Sequence, residues 1–384
     1  MVKDDMANGG GAARAAAAVA TGTGGPFEAP SEPAACGPVA EAAPDDASGQ
    51  TGVVLMVSGG SDSTALLEMT RAYLDGRPLP FEAQRAFEEL LPEPAAVHVR
   101  VLHVNHLLRG AAAYADEAFV RAECEQMGVD LHVERVDVKG LAATRKGGVE
   151  AVAREERYRL AQEQLDLLCA TRGCARGYIL PAHTLDDRVE TFFMRALVGT
   201  GPGGFSSIPR ARGRIRRLLL DMTREELREW LREQRPSVPD ALLWREDATN
   251  DDGSNFRSLV RTRLVPVAEE LRGGFMRTLS GTMDLIADED EMLQERAQAL
   301  LYRHLEWDGF AAKLPAKALR DEKGPMRRRV LREALLVVNP DARLESAQIE
   351  RIAHAVEEGE DASCDVAGGV RVRLADGMVC AFRV

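Results

Sequence analysis

The sequence predicts an α/β fold: a doubly wound, mostly parallel sheet, followed by a smaller α-helical domain and a short C-terminal β segment. Three observations carry that expectation. Up to about residue 218, short apolar runs rich in β-branched residues alternate with longer stretches of helical spacing, the pattern of strands joined by crossover helices. From about Phe275 to Glu358 the pattern becomes that of long amphipathic helices. The last segment, Val366 to Val384, alternates polar and apolar residues around a Gly-Gly and an Asp-Gly turn signal and reads as a hairpin.

Taken in order, residues 1 to 50 are dominated by Ala, Gly and Pro and hold seven acids against two bases. With few large apolar side chains they cannot offset the entropy of ordering, and a disordered extension is expected. The first strand is Val53 to Val57, followed by Ser58-Gly59-Gly60-Ser61-Asp62-Ser63 and a helix that begins Thr64-Ala65-Leu66-Leu67. Two glycines let the backbone approach a ligand, and the serine hydroxyls join the N–H groups that open the helix, which makes an anion cradle. The loop has no Gly-Lys-Ser/Thr ending of the Walker type; Asp62 stands where a cation is expected, which suits a Mg²⁺ ion beside phosphates. A plain Gly- and Ser-rich strand-to-helix turn is the alternative.

Residues 75 to 96, with four prolines and one amphipathic stretch from Glu82 to Leu91, read as a surface insertion with a short helix. A second strand, Val97 to Val104, ends in Asn105-His106-Leu107-Leu108-Arg109-Gly110, and a helix follows from Tyr114 to Met127. Leu131 to Val138 is the third strand, Glu150 to Leu168 the third helix, and Tyr178 to Leu180 a fourth strand entering Pro181-Ala182-His183-Thr184-Leu185-Asp186-Asp187. Ligands of such sheets sit beyond the carboxyl ends of the strands. Three polar clusters fall there, Ser58 to Ser63, His103 to Arg109 and His183 to Asp187, and their convergence favours the phosphate reading.

Past Ile215 the pattern is helical and Arg-rich, with a polar connection at 247–261 in which Arg257 and Arg261 share a helix face. The expected division is 1–50, extension; 51–218, catalytic domain; 219–272, a connection completing the active site; 273–358, helical domain, with breaks near Gly309 to Pro315, Gly324-Pro325 and Asn339-Pro340; and 359–384, hairpin.

The formal charge of −12 disfavours a generic nucleic-acid binder. Two local runs depart from it: Arg210, Arg212, Arg214, Arg216 and Arg217, and Lys323 with Arg327, Arg328, Arg329 and Arg332. They are either footprints for a phosphate backbone or solvated faces. No apolar run approaches the ~20 residues of a membrane span, and a cytoplasmic protein is expected. The six cysteines form no C-x-x-C pair, which argues for reduced structural thiols rather than a zinc or iron–sulfur site.

Ser58 to Ser63, His103-Val104-Asn105-His106 with Arg109-Gly110, Asp116-Glu117, Glu150 to Tyr158, Ala182-His183 with Asp186-Asp187 and Glu190-Thr191, and Asn255-Phe256-Arg257 with Arg261 occur in the order seen in tRNA(Ile)-lysidine synthetases. The chain resembles that family over roughly 51–270 strongly and over the remainder weakly; single motifs are shared with the wider PP-loop, or N-type ATP pyrophosphatase, group. The resemblance implies an adenine nucleotide α-hydrolase-like domain. It also implies a two-step reaction on the wobble cytidine of a minor isoleucine tRNA with a CAU anticodon: adenylation by ATP, then displacement of AMP by free L-lysine.

It further implies that Ser58, Gly59, Gly60, Ser61, Asp62, Ser63, His103 and Asn105 bind ATP, with Asp62 and Asp187 as candidate Mg²⁺ ligands. His183 would contact a phosphate or exchange a proton, or be a structural hydrogen-bonder; Arg109, Arg257 and Arg261 would meet transition-state charge or tRNA phosphates, or else be solvated at the surface or pair with Asp247, Asp251 and Asp252. Glu150, Arg154 and Arg157 are an ion-pair brace or a substrate contact, and Arg210, Arg212, Arg214, Arg327, Arg328 and Arg329 are candidates for tRNA. Thr184, Arg188 and Leu218 depart from the family's usual His or Asn, Gln and Pro. The rivals are a tRNA thiolase on the same scaffold, which the missing C-x-x-C disfavours, and a noncatalytic tRNA-binding protein. The oligomeric state stays open, a homodimer being one option.

Overall fold

A computed structural model describes residues 49–145, 148–246, 255–340, 346–366 and 369–384. The expected extension, apart from its last two residues, and the acids Asp247, Asp251 and Asp252 lie outside the described residues.

The first sheet runs in the order β3-β2-β1-β4-β6-β5, from β1 (Thr51–Met56), β2 (Val97–Asn105), β3 (Asp130–Arg135), β4 (Arg176–Pro181), β5 (Ala211–Arg212) and β6 (Ile215–Arg216). β1 pairs parallel with β2 and β4, so it is central and buried on both faces. Alternation along the strand then divides its side chains: Val53, Leu55 and Val57 enter one core, Val54 and Met56 the other. The first core is closed by α1 (Ser61–Leu74), α2 (Phe81–Leu90) and α3 (Ala111–Met127), the second by α4 (Val149–Arg172). Helices on both faces of a parallel sheet are the doubly wound arrangement that the alternating pattern called for.

Three local readings are corrected. The supposed surface insertion is anchored: Ala83, Phe87 and Leu91 are fully buried in the first core, and Tyr73 stacks on Phe87 with ring centroids 5.2 Å apart. Burying the Phe87 ring alone stabilises the fold by about 2–3 kcal/mol. The third strand ends at Arg135, and Val138–Thr144 is a short helix capped by the Asp137 side chain. The segment around Gly309 to Pro315 is not simply a helix break, because Ala311–Pro315 is a β-strand.

Beyond β6, α5 (Leu185–Val198) and α6 (Arg224–Gln234) both begin with capping boxes, Thr184 with Asp187 and Thr223 with Glu226. α7 (Phe275–His304) spans two cores. Met283 packs with Leu185 and Val189 of α5, while Ala297 and Leu301 belong to the core of the C-terminal region. That region combines α8 (Gly324–Val338) and α9 (Ser346–Glu358) with a second sheet ordered β7-β8-β11-β10-β9. Its strands are β7 (Glu306–Trp307), β8 (Ala311–Pro315), β9 (Ala362–Val366), β10 (Val370–Ala375) and β11 (Met378–Arg383). β10 and β11 form the expected hairpin, turned at Asp376 (φ 52°) and Gly377 (φ 70°), the two positive angles of a type I′ turn. Among the described residues no helix is long and apolar enough to cross a membrane.

Candidate active site

The loop after β1 is shaped by Gly59 and tied by Ser63. Gly59 has φ +96°, so any side chain there is strained in conformation, although a Cβ would meet Val120 and Arg245 only at ordinary contact distances of 3.4 and 3.5 Å. The Ser63 hydroxyl accepts the N–H groups of Ser58 (3.2 Å) and Gly59 (3.1 Å) and donates to the Gly60 carbonyl (3.0 Å). Arg245 N–H donates to the Gly59 carbonyl at 2.9 Å and fixes the loop from outside. The remaining first-turn N–H groups of α1 are the donors that a helix leaves outside its own ladder.

Asp62 follows directly, in the first turn of α1, and receives the Ser61 hydroxyl at 2.9 Å. Its other oxygen lies 3.2 Å from Nε of Arg224, the first residue of α6. The same guanidinium is 3.8 Å from Asp186, 3.7 Å from Asp187 and 3.9 Å from Glu190, all in the first two turns of α5. Asp62 and Asp187 therefore face one cation on one rim of the sheet, although 125 positions separate them in the chain. Arg257 stands 3.7 Å from Asp187 and donates to the Thr191 hydroxyl, and Arg261 grips Glu190 through two nitrogens, at 2.6 and 3.1 Å. Arg261 sits in a π-helical turn, Val260–Leu264, a distortion frequent at functional sites.

The electrostatics follow from this crowding. Burial pushes the Asp62 carboxyl above its usual range, with Arg224 opposing and Asp187 reinforcing the rise. Burial also pushes Asp187 up, but Arg224, His183, Arg257 and the Thr184 N–H outweigh it and hold that carboxyl below its usual range. Glu190 is raised, by burial first. Arg224 is held firmly protonated, its four carboxylates outweighing the cost of burial.

Of the expected site residues, the structure brings together Asp62, Asp187, Arg257 and Arg261, with His183 near Asp187 and accepting from Arg217 Nε at 3.2 Å. Arg109 lies on the other flank of the loop, bound to Asp116 at 2.7 Å; the second oxygen of Asp116 receives Arg245 Nε. His103 and Asn105 are buried and internally bonded. The His103 ring meets the Val57 carbonyl, and the Asn105 amide serves Ala113, Glu117 and the Leu107 N–H. Their side chains brace strand ends. His106 keeps a buried Nδ1 that has no hydrogen-bond partner among the described residues. Arg154 stacks over Tyr158, and Arg157 donates to His106 Nε2 at 3.3 Å.

The two basic runs fare differently. Arg210 is bound to Asp221 and Asp284, Arg214 to Asp166, and Arg212 lies half-buried in β5. Arg327 is buried and donates to the carbonyls of Leu319, Ala353, Arg320 and Glu322 and to Glu357, so it is an internal brace rather than a surface contact. Arg328 pairs with Glu350 at 3.1 Å, and Arg329 with Asp290. Two departures from the family pattern acquire local roles: Thr184 caps α5, and Leu218 lies in the first core.

Sequence reasoning missed Arg224 and the part Asp186 and Glu190 play around it. The available signal was the Thr223-x-x-Glu226 capping box, which places Arg224 at a helix start but does not say what that start faces.

A family model described as a PP-loop domain matches residues 39–268. The chain is 31% identical over 330 residues to the tRNA(Ile)-lysidine synthase of Chlorobaculum tepidum, covering 85% of this chain and 89% of that one. It is 34% identical over 294 residues to the corresponding synthase of Thermus thermophilus, covering 76% of this chain and 50% of the relative. To the synthase of Geobacter sulfurreducens it is 30% identical over 309 residues, covering 79% and 59%. The chain thus spans nine-tenths of the first relative's length and about half to three-fifths of the other two.

Proposed function

The chain belongs to the PP-loop family and, within it, to the tRNA(Ile)-lysidine synthases, and from that premise we propose that it ligates L-lysine to the wobble cytidine of an isoleucine tRNA at the expense of ATP. The observation that carries this reading is the meeting of Asp62, Asp187 and the Ser58–Ser63 loop at one rim of the sheet.

In the first step the cytosine carbonyl oxygen attacks the α-phosphate; an O–P bond forms and the bond to the pyrophosphate leaving group breaks. In the second, the lysine amine attacks the activated ring carbon, the C–O bond breaks, AMP leaves with the electron pair, and the amine gives up a proton. Both nucleophiles are substrates, so the protein's part is positioning and neutralising phosphate charge. The first-turn N–H groups of α1 and the loop hydroxyls suit the pyrophosphate. Arg257, Arg261 and Arg224 are set to meet charge on the transferring phosphate; they already stand against the carboxylates on the same rim.

Among the described residues no group of three or more His, Cys, Asp or Glu is placed to hold a metal ion. Mg²⁺ asks for less, one or two carboxylates completed by phosphates and water, and two carboxylates gathered about one cation fit it. In this reading Asp62 and Asp187 hold Mg²⁺, which neutralises phosphate charge. The region from 273 onward, with Arg328 and Arg329, and the Arg210 to Arg214 segment supply the surface toward tRNA, and the division at 218, 272 and 358 is retained as part of the same proposal.

The test incubates the purified protein with unmodified isoleucine tRNA, ATP, Mg²⁺ and labelled lysine and follows lysine incorporation and AMP release. Label in tRNA with stoichiometric AMP is expected. Sulfur transfer without lysine uptake would turn the reading toward a thiolase, and tRNA binding without turnover toward a noncatalytic binder. Asp62→Ala is expected to abolish adenylation and leave tRNA affinity within about twofold, since its carboxylate serves only the ATP end; normal turnover would remove Asp62 from the metal role.

A further inference from the structure

Among the described residues, the contact between α5 and α7 is largely apolar, with one charged clamp. Leu185, Val189 and Met283 form its buried center, with Phe192, Phe193 and Leu279 packed around them. Into this surface α5 sends Arg188, the residue after Asp187, with a side chain only 1% exposed. One terminal nitrogen donates to the Ser280 hydroxyl at 2.8 Å, the other to Asp284 at 2.6 Å, both on α7. The Arg188 carbonyl accepts the Ser207 hydroxyl at 2.6 Å, and the second oxygen of Asp284 receives Arg210, which also binds Asp221.

A buried arginine is a poor device for stability. Desolvating the guanidinium costs about as much as its partners return, and among the described residues the buried Arg188 Nε has no hydrogen-bond partner, so an apolar side chain of similar length would serve as well or better. What the charge adds is direction. Leu, Val and Met surfaces tolerate small slides and rotations, whereas a planar fork gripping a hydroxyl and a carboxylate one helical turn apart accepts a single register. That register sets Asp186 and Asp187 against Asp62. α7, about 45 Å long at 1.5 Å per residue, carries the same constraint into the C-terminal core at Ala297 and Leu301.

We propose that Arg188 is a positioning residue for the ligation: clamped on Ser280 and Asp284, it fixes the helix that bears Asp186 and Asp187 onto the long helix shared with the C-terminal region. The assignment rests on the lysidine reading for its chemistry but not for its geometry. A misplacement of about 1 Å at reacting groups lowers a rate up to about 100-fold. Removal of the clamp therefore acts on kcat, while the Ser58–Ser63 loop keeps its hold on ATP.

The experiment compares the full chain with Arg188→Met, Arg188→Lys and Asp284→Asn for kcat, KM for ATP, Tm, and hydrogen exchange of the α5 amides from Asp186 to Thr191. Arg188→Met is expected to melt within about 2 °C of the parent or above it, to lose at least tenfold in kcat with KM for ATP within twofold, and to exchange those amides at least tenfold faster. Arg188→Lys, a single point charge, recovers part of the loss. Asp284→Asn, which strands the buried guanidinium, melts lower than Arg188→Met, and the double variant Arg188→Met with Asp284→Asn regains that loss in Tm. Full turnover of Arg188→Met at unchanged α5 exchange overturns the proposal. If the parent protein itself makes no lysidine, the functional reading fails instead. The exchange of the α5 amides then decides the clamp alone: acceleration supports it and unchanged rates refute it.

Discussion

Replacing Arg224 by glutamine removes the one guanidinium that faces Asp62, Asp186, Asp187 and Glu190 at 3.2 to 3.9 Å. At an effective dielectric constant of about 20, each such pair is worth roughly 4–5 kcal/mol before desolvation is counted, and the four do not add. Two carboxylates keep another cation, Asp187 through Arg257 and Glu190 through Arg261. Among the described residues, Asp62 and Asp186 have no second arginine as an ion-pair partner. Asp62, already above its ordinary value of 3.8, rises further and takes up a proton, which limits the damage. The expected loss is about 3 kcal/mol, the low end for breaking a buried pair, or a drop of about 6–12 °C in Tm.

The sign with pH follows from that proton. The folded variant binds it more tightly than the unfolded chain, so stability declines as pH rises above the carboxyl's ordinary value of 3.8, and the deficit against the parent widens with it. Urea unfolding in chelator at two pH values above 3.8 measures it. Added Mg²⁺, able to replace the lost charge between Asp62 and Asp187, should raise the variant's midpoint more than the parent's. A variant as stable as the parent in chelator, with no extra response to Mg²⁺, refutes the view that Arg224 neutralises this rim.

Three further variants have expected outcomes. Arg327→Ala strips its carbonyls and Glu357 of their shared donor and should cost about 3 kcal/mol in the C-terminal region. Arg328→Ala, whose parent side chain pairs with Glu350 at the surface, should cost under about 0.5 kcal/mol while lowering the salt slope of tRNA binding by about 1; urea melts and a salt titration separate the two, and equal costs would contradict the burial of Arg327. Glu117 is held down to about 2, first by its hydrogen bond from Arg135, with Asn105 and Arg121 adding to it against burial. Its folded value lies below its ordinary 4.5, so its contribution is complete above that pH and is lost as pH falls toward about 2. Acid unfolding of Glu117→Gln should thus be less steep between about pH 4.5 and 2.5 than that of the parent, and identical profiles would show the ion pair to be idle.

The alternation of buried strands with amphipathic helices, the glycine-serine turn after Val57, the Asp-Gly hairpin at 376–377 and the placing of Asp62 and Asp187 at strand ends were legible in the chain, because each depends on spacing within a few residues. Strand periodicity and turn chemistry are local properties of a backbone with two soft angles per residue. The short strands β5, β6 and β8 escaped notice because two to five residues are too few to show a period.

Charge partners belong to another class. Nothing near Arg224 announces Asp62, 162 positions away, and nothing near Arg188 announces Asp284, 96 positions away. Arg327 reads like its exposed neighbor Arg328 until packing turns one inward and the other outward. A guanidinium's reach covers several angstroms in any direction, so its partner is chosen by how helices settle on sheets and on one another. The sequence by itself determined the scaffold and the loop that suits phosphate; only the tertiary structure decided which arginine stands among the carboxylates and which one locks the helix that carries them.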